Sequence, residues 1–592
     1  MTNNMFKPGD NNREESGTSG PADVLVPEAF LTCARRLRQA PALVASDGVT
    51  TTTVSHQVLL EEVLDAAAVL LDHGVAVGDR VCVHVPTSIS HTVWDLAVLV
   101  VGAVAVPVYD TDSVEQIEWI LTDADPVVLV ASHALVGTSG EAHRNLAHRS
   151  VVVDTETRAS ARRDQEVLDR TAALQGVDLA GIIYTSGTTG RSKGCVLSHG
   201  AFAAAVRASK AAFPEEMAQG ERTLLFLPLA HVFARVVQYA CVTSGVEIAY
   251  SSAQTVAQDV LWARPSWMVT VPRVLEKVHA GARAKSTGIK RRIFTAADHV
   301  ACAWAVASER GSVPFWLEAL RAVFDRLVYG KIRAALGGEL RAVVSGGAAL
   351  DPRLDRFFTG CGITVYEGYG LTETAAAHCA NTPGSKRAGS VGQPLLGFEA
   401  VVDSDGEVLL RGANLFSGYW RNEAATSSSF QEIDGSNWFK TGDLGAIDDA
   451  GFLRITGRRK ELIVTSNGKN VQPVGLEEDI VRGEGISQCV VVGDGRPFIA
   501  ALVALDAEWV QRRALELGAT KDVVRESAEV RTMIQSAIDV ANRAVSRAEA
   551  VKAFRVLPEE LSTDNGLLTP TLKVKRTVVA QRHADLIEEM YA

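Results

Sequence analysis

Apolar positions recur at two spacings along the first 450 residues. In HQVLLEEVLDAAAVLLDHG (56–74) they fall three and four apart and stop at a glycine, which predicts an amphipathic helix. DRVCVHVP (79–86), DPVVLVAS (125–132), AGIIYTS (180–186), LRAVVSGG (340–347) and GITVYEGYG (362–370) carry short β-branched runs instead, the pattern of strands. Strands alternating with helical segments predict an α/β fold with layered, largely parallel sheets. Ligands of such sheets sit beyond the carboxyl ends of the strands. Three of these strands run straight into glycine-rich loops, which is where a nucleotide site belongs.

The longest apolar run, LAVLVVGAVAVPV (96–108), falls short of the roughly 18 residues that cross a bilayer. Broken by Gly102 and Pro107, it reads as a buried strand–turn element. From about 283 to 335 the pattern becomes charged, aromatic and helical, as expected of a helical pair inserted between sheet elements. Past GFLRITGRRKELIV (451–464) a smaller α+β unit begins, with strands at CVVVGDG and FIAALVAL and a basic closing tail. The expected division is a disordered tail over 1–22, a large domain over 23–457 and a small mobile domain over 458–592.

Composition narrows the function. A chain of 592 residues exceeds one ordinary core, and its net charge of −11 argues against an electrostatically driven nucleic-acid binder. The eight cysteines are scattered without a C-x-x-C pair, which suits a reducing cytosol and gives no zinc ribbon or disulfide framework. The polar first twenty residues lack the apolar core of a signal peptide.

Four stretches carry candidate chemistry. YTSGTTGRSKG (184–194) has glycines, hydroxyls and a lysine but fails the Walker spelling, because Gly194 follows Lys193. Such a run alone is more often a flexible linker. A buried strand before it and a helical stretch after it favour an anion cradle, with backbone N–H groups, hydroxyls and Lys193 facing phosphates. VYEGYGLTETAAA (365–377) has Gly368-x-Gly370, but Glu373 occupies the third glycine position of a dinucleotide fingerprint. What remains is an exposed aromatic, Tyr369, with Thr372 and Glu373 at a strand end. The pair reads equally as an N-terminal cap or as a hydroxyl and a Mg²⁺-binding carboxylate. In WFKTGDLGAID (438–448), Asp443 is either a turn cap or an acceptor for ribose hydroxyls. In LLTPTLKVKR (567–576), Lys573 alone would read as a solvated charge. Neither G-x-S-x-G nor H-E-x-x-H occurs, so hydrolase and zinc chemistry have no support.

In this order, YTSGTTGRSKG, YEGYGLTET, TGD, GRRKELI and the TLK segment resemble the adenylate-forming superfamily of acyl-CoA synthetases, luciferases and adenylation domains, from about residue 25 to the C-terminus. LPLAHVFARV (227–236), RPSWMVTVPRVLEKV (264–278), the helical insert and SNGKNVQP (466–473) resemble its long-chain branch. The resemblance implies ATP, Mg²⁺ and coenzyme A, with a fatty acid converted to acyl-adenylate and then to a thioester. It places the β- and γ-phosphates on Thr185, Ser186, Gly187, Thr188, Thr189, Gly190 and Lys193. Mg²⁺ falls to Glu373 and Thr185, adenine to Glu367, Gly368, Tyr369 and Gly370, and the α-phosphate to Thr372. Asp443 and Arg458 take the ribose, while His231, Gly346 and Gly347 line the acyl pocket. Lys573 is the adenylation lysine and Lys460 the hinge.

Three departures stand out: Ser192 replaces a common proline, Ala234 replaces a glutamate frequent in the long-chain branch, and the lysine segment reads TLK. The alternatives are a ligase that loads a carrier protein and a non-catalytic nucleotide-binding regulator. The expected setting is cytoplasmic with small-molecule partners and no nucleic acid. Peripheral contact with the inner face of a membrane is consistent with long acyl chains partitioning into bilayers.

Overall fold

The computed structural model describes residues 24–135, 137–138, 140–142, 150–185, 191–569 and 573–592. A first helix, Val26–Arg36, precedes a hairpin of β1 (Pro41–Ser46) and β2 (Thr51–Ser55), and helix α1 (His56–Asp72) follows. The chain then lays down β3 (Arg80–His84), helix α2 (Ile89–Val100), β4 (Val104–Pro107), β5 (Val128–Ala131), β6 (Val151–Asp154), β7 (Leu179–Thr185) and β8 (Lys193–Ser198). Strands β3 to β8 form a sheet in the order β8-β7-β4-β3-β5-β6, parallel except for the β7–β8 pair, with Gly418–Tyr419 added outside β8. Their near-continuous burial explains their uninterrupted apolar runs, since a parallel sheet is covered on both faces.

A second sheet follows from helix α3 (His199–Ala212), β9 (Arg222–Leu225), helix α4 (Val232–Ser244), β10 (Glu247–Tyr250) and β11 (Trp267–Thr270). Helices α5 (Pro272–Ala284), α6 (Ile289–Glu309) and α7 (Phe315–Phe324) come next, then β12 (Ala342–Ser345), helix α8 (Pro352–Gly360), β13 (Thr364–Leu371), β14 (Ala376–Ala380) and β15 (Gln393–Pro394). Its nine strands run β15-β14-β13-β12-β11-β9-β10-β1-β2. A third, antiparallel sheet comprises β16 (Phe398–Val402), β17 (Glu407–Gly412), β19 (Phe430–Ile433), β20 (Ser436–Ile447) and β21 (Leu453–Arg458), β18 being the Gly418–Tyr419 strand.

One apolar cluster joins the first two sheets. Helices α2 and α4 lie within it, almost wholly buried. A polar clamp fixes α4. Arg235, fully buried, ion-pairs with Asp95 of α2 and donates from Nε to the Tyr239 hydroxyl at 2.6 Å, while Gln238 Nε2 reaches Asp95 Oδ2 at 3.1 Å. A charge so deep is compensated by its counter-ion and these hydrogen bonds, although Arg235 Nη1 has no hydrogen-bond partner among the described residues.

The remaining chain has its own cores. β22 (Ile486–Val492), β23 (Ile499–Leu505) and β24 (Val551–Val556) form its sheet, covered by α9 (Pro473–Val481) and α10 (Ala528–Ala541). Charged contacts join this lobe to the large one. Arg273 pairs with Glu560 at 2.7 Å and donates to the Ser487 carbonyl at 2.8 Å, Arg482 reaches Asp351 at 2.8 Å, and Arg291 reaches Glu484 at 2.8 Å.

Two expectations change. The run 96–108 is not a strand–turn element: its first half completes α2, and Gly102, at φ +76°, turns the chain into β4. A helix buried on every side loses its 3.6-residue stripe and reads like a buried strand. The helical stretch expected after YTSGTTGRSKG is α3 (His199–Ala212), and a strand the sequence reading lacked, β8, precedes it and pairs antiparallel with β7. The inserted helical region starts at Pro272 and holds three helices, a π-turn at Asp325–Tyr329 and a short closing helix, Gly330–Ala335. Among the described residues no helix is long and apolar enough to cross a membrane.

Candidate active site

The site is built where β7, β12 and β13 end. Thr185 closes β7 opposite Lys193, which opens β8. Ser186, Gly187, Thr188, Thr189 and Gly190 lie outside the described residues. The Lys193 ammonium stands 5.0 Å from the centroid of the Tyr419 ring, and the Tyr419 hydroxyl donates to Glu373 Oε1 at 2.7 Å. Tyr419 therefore links Lys193 of the candidate phosphate loop to the candidate metal carboxylate, a contact no motif announced. Glu373 belongs to the short 3₁₀ turn Thr372–Thr374 between β13 and β14. Capping there falls to Thr374, whose Oγ1 accepts from Leu371 N at 2.8 Å. The cap reading of Thr372 and Glu373 is thereby removed, and both line the cleft.

No group of three His, Cys, Asp or Glu among the described residues could hold a metal alone. A lone carboxylate beside a phosphate loop fits Mg²⁺, which takes one or two carboxylates and completes its shell with phosphates and water.

Asp443 is a strand residue, not a turn cap. It sits mid-β20 opposite Arg458 of β21 and is 2% exposed. Arg458 Nε lies 2.9 Å from Oδ1, and the Tyr369 hydroxyl donates to Oδ2 at 2.7 Å. Burial pushes the carboxyl up from its ordinary range while the Arg458 charge and the Tyr369 hydrogen bond pull it down. Tyr369 is thus half-buried and anchored at its hydroxyl rather than freely exposed. Gly346 and Gly347 follow β12. A Cβ on Gly346 would lie 3.4 Å from the Phe233 ring, and Gly347 adopts φ +86°.

The resemblance assigns Glu367 a part through its backbone, with Gly368 and Gly370. Its side chain acts elsewhere. Oε1 accepts from Leu350 N at 3.0 Å, tying the loop after β12 to β13. Burial raises this carboxyl to about 8 from 4.5, so the folded protein holds a proton there at neutral pH that the unfolded chain releases. Stability from this group is therefore present at low pH and lost as pH rises from about 4.5 through 8. Glu478, raised to about 7 by burial, acts with the same sign. Glu367→Gln is expected to flatten the pH 5-to-8 fall in unfolding free energy by on the order of 1–3 kcal/mol. Denaturant midpoints at the two pH values check this, and identical slopes in both proteins would refute it.

Lys573 arrives from the small lobe. Its segment is held by the Leu568–Val574 bridge and by a two-pronged pair between Arg576 and Glu477. The Lys573 backbone bonds to Thr569, and its ammonium makes no ion pair among the described residues. The surrounding walls push that ammonium below its ordinary value; Arg458 adds to the push, while Asp443, Glu461 and Glu373 oppose it. Cleft solvent reaches Lys573 and softens the effect. His231, at the N-terminus of α4, accepts from Phe233 N and is lowered to about 4 by burial and then by the Lys573 charge, so it is neutral. Lys460 is exposed in the 3₁₀ turn Arg459–Glu461 beside Arg458.

The described candidate residues, from Thr185 on β7 to Lys573 of the small lobe, line one cleft of about 2700 Å³. Its inner end is apolar, walled by Phe213 and Met217 beyond α3, Val236 and Val237 of α4, and Trp267 and Val269 of β11.

Residues 30–420 match the AMP-binding enzyme family, and residues 460–592 match the AMP-binding enzyme C-terminal domain. The chain is 44% identical over 547 residues to the long-chain-fatty-acid–CoA ligase FadD15 of Mycobacterium tuberculosis, covering 89% of this chain and 90% of that one. It is 29% identical to the peroxisomal long chain acyl-CoA synthetase 7 of Arabidopsis thaliana, over 88% and 79% of the two chains. Its fold is similar to that of ATP-bound MatB from Rhodopseudomonas palustris, at TM-score 0.69 and 22% identity, over 95% of this chain and 100% of that chain. With two ordered matches spanning both lobes and a close relative along most of its length, the chain belongs to the AMP-binding enzyme family.

Proposed function

We propose that the protein joins a long-chain fatty acid to coenzyme A in two steps at this cleft. A carboxylate oxygen of the acid attacks the α-phosphorus of ATP, the bond to the β-phosphate breaks, and pyrophosphate leaves. The coenzyme A sulfur then attacks the acyl carbonyl carbon, the carbon–oxygen bond to phosphate breaks, AMP leaves, and the thiol proton passes to solvent. The carrying observation is the apolar inner cleft opening onto an uncommitted Lys573 beside Asp443 and Glu373.

The position of each residue supports the role proposed for it. Lys573 bridges the acyl carboxylate and the α-phosphate, drawing negative groups together. Lys193, Thr185 opposite it and the residues 186–190 between them hold the departing pyrophosphate. Glu373, oriented by Tyr419, offers the carboxylate for Mg²⁺, which when bound supplies further charge neutralisation on the phosphates. Asp443 accepts from the ribose hydroxyls, kept in place by Arg458, and Thr372 donates to the α-phosphate. The Glu367–Gly370 strand faces adenine. Lys460, exposed at the joint after β21, is the hinge about which residues 458–592 turn between steps. The setting is cytoplasmic, with peripheral contact at the membrane that holds the substrate.

Incubation with ATP, Mg²⁺, coenzyme A and acids of graded length should give acyl-CoA and AMP, with the longer acids preferred. ADP as product, or turnover independent of coenzyme A, would overturn the reading.

A further inference from the structure

The inserted helices carry a surface that the reaction does not use. On α7 and the π-turn after it, Trp316, Leu320, Val323 and Leu327 follow one another at steps of four, three and four, which places them on one face. With Phe315 at the head of the helix, they range from 40% exposed at Leu320 to 88% at Phe315. The opposite face is given to the core: Leu317 is buried, and the buried Tyr329 donates its hydroxyl to the Ala297 carbonyl of α6 at 2.7 Å. The stripe is therefore an outward face of an anchored helix.

Unpaired cations outnumber unpaired carboxylates here. Asp325 is paired with Arg333 at 2.7 Å, while the exposed Glu318 accepts from the neutral Trp304 Nε1 at 2.9 Å, which leaves its charge without a counter-ion. Arg310, Arg326 and Lys331 are exposed and make no ion pair among the described residues. A cationic rim on a chain of net charge −11 is a local feature against the overall balance. An apolar stripe headed by Phe and Trp and rimmed by cations complements an anionic bilayer surface, where aromatic rings sit at headgroup depth and each cation gains from the surface potential.

We propose that this face docks on anionic lipid, laying α7 in the membrane interface. Helix α6 connects that face to the cleft, because its first turn, at Arg291, lines the cleft and its far end leads into α7. Docking thus holds the cleft one helix length from the phase in which long acyl chains dissolve. The inference deepens the proposed reaction and rests on it for the purpose of docking, not for the docking itself.

Co-sedimentation of the full chain with vesicles tests it, comparing phosphatidylcholine alone with mixed phosphatidylcholine and phosphatidylglycerol. Wild type should bind the mixed vesicles, and binding should weaken at high salt. The triple variant Trp316→Ser, Leu320→Ser, Leu327→Ser and the separate pair Arg326→Glu, Lys331→Glu should each lower partitioning by about tenfold or more. Both should keep wild-type turnover of a water-soluble short acid. Equal partitioning of wild type and both variants overturns the surface. So does wild type that ignores vesicles but self-associates through these residues in sedimentation velocity, which would make the stripe a protein interface. Failure of the acid panel with vesicle binding intact would sink the reaction and leave the surface standing.

Discussion

Lys573→Ala is expected to slow acyl-adenylate formation by a factor on the order of 10²–10³. Thioester formation from supplied acyl-adenylate should stay within a few-fold of wild type, because no pyrophosphate departs in that step. The asymmetry follows from geometry. Lys573 enters the cleft from the small lobe with its ammonium uncommitted, where it feels Asp443, Glu373 and Arg458 together. Its backbone bonds to Thr569 do not depend on the side chain, so truncation leaves its segment in place. Pyrophosphate exchange into ATP reads the first step and release of AMP from synthetic acyl-adenylate reads the second. Equal losses in both would refute the assignment. Lys573→Arg should rescue only partly, since a planar guanidinium does not replace a compact ammonium.

Gly370→Ala should be the most damaging single methyl in the nucleotide region, at on the order of 3–5 kcal/mol of stability. A Cβ there would stand 1.8 Å from the Ala376 oxygen, 2.6 Å from the Ala376 carbonyl carbon and 2.9 Å from Ala377 Cα. All three are backbone atoms of the facing strand, so no side chain can swing aside. β13 and β14 must part, carrying Tyr369 away from Asp443 and shifting the Thr372–Glu373 turn. Gly368 provides the control: a Cβ there meets nothing nearer than the Cys379 oxygen at 3.5 Å, an ordinary contact. Gly368→Ala should cost about 1 kcal/mol or less. Denaturant melts of the two variants decide the matter, and comparable midpoints would show the hairpin to be softer than its geometry requires.

These glycines illustrate what the chain's pattern conveys and what it hides. The two-glycine spacing is visible in the sequence, and its failure as a dinucleotide fingerprint is legible from Glu373. That Gly370 is needed for strand-to-strand approach is not, because the partner strand lies on the far side of a turn. Strands β3, β5, β7, β12 and β13 are legible as short β-branched runs, for burial on both faces leaves an unbroken apolar signal. The same burial conceals α2, whose apolar surround erases its stripe. β8 escapes notice because its four buried residues sit between a polar loop and an alanine-rich helix.

At the site, Lys193, Glu373 and Asp443 stand out in local patterns and Lys573 only through the family resemblance, and all four line one cleft. The strand pairing of Asp443 with Arg458 removes the turn-cap reading that sequence leaves open. Tyr419 and the Glu367 side chain give no such signal, since each acts on a residue far away in the chain and neither belongs to a spacing rule.

The charged contacts between the lobes carry a consequence for tempo. The proposed turn about Lys460 would part Arg273 from Glu560, Arg482 from Asp351 and Arg291 from Glu484 once in every cycle. The last two pairs are largely open to water, and pairs of that kind contribute only about 0.2–1 kcal/mol each. Breaking them takes little more than thermal motion, whereas an oily seam of the same extent would hold the lobes shut. Screening by dissolved ions weakens them further. Under the proposed turn, the dwell time in this arrangement of the lobes would be set in part by the salt of the surrounding fluid, an external clock written into three arginines.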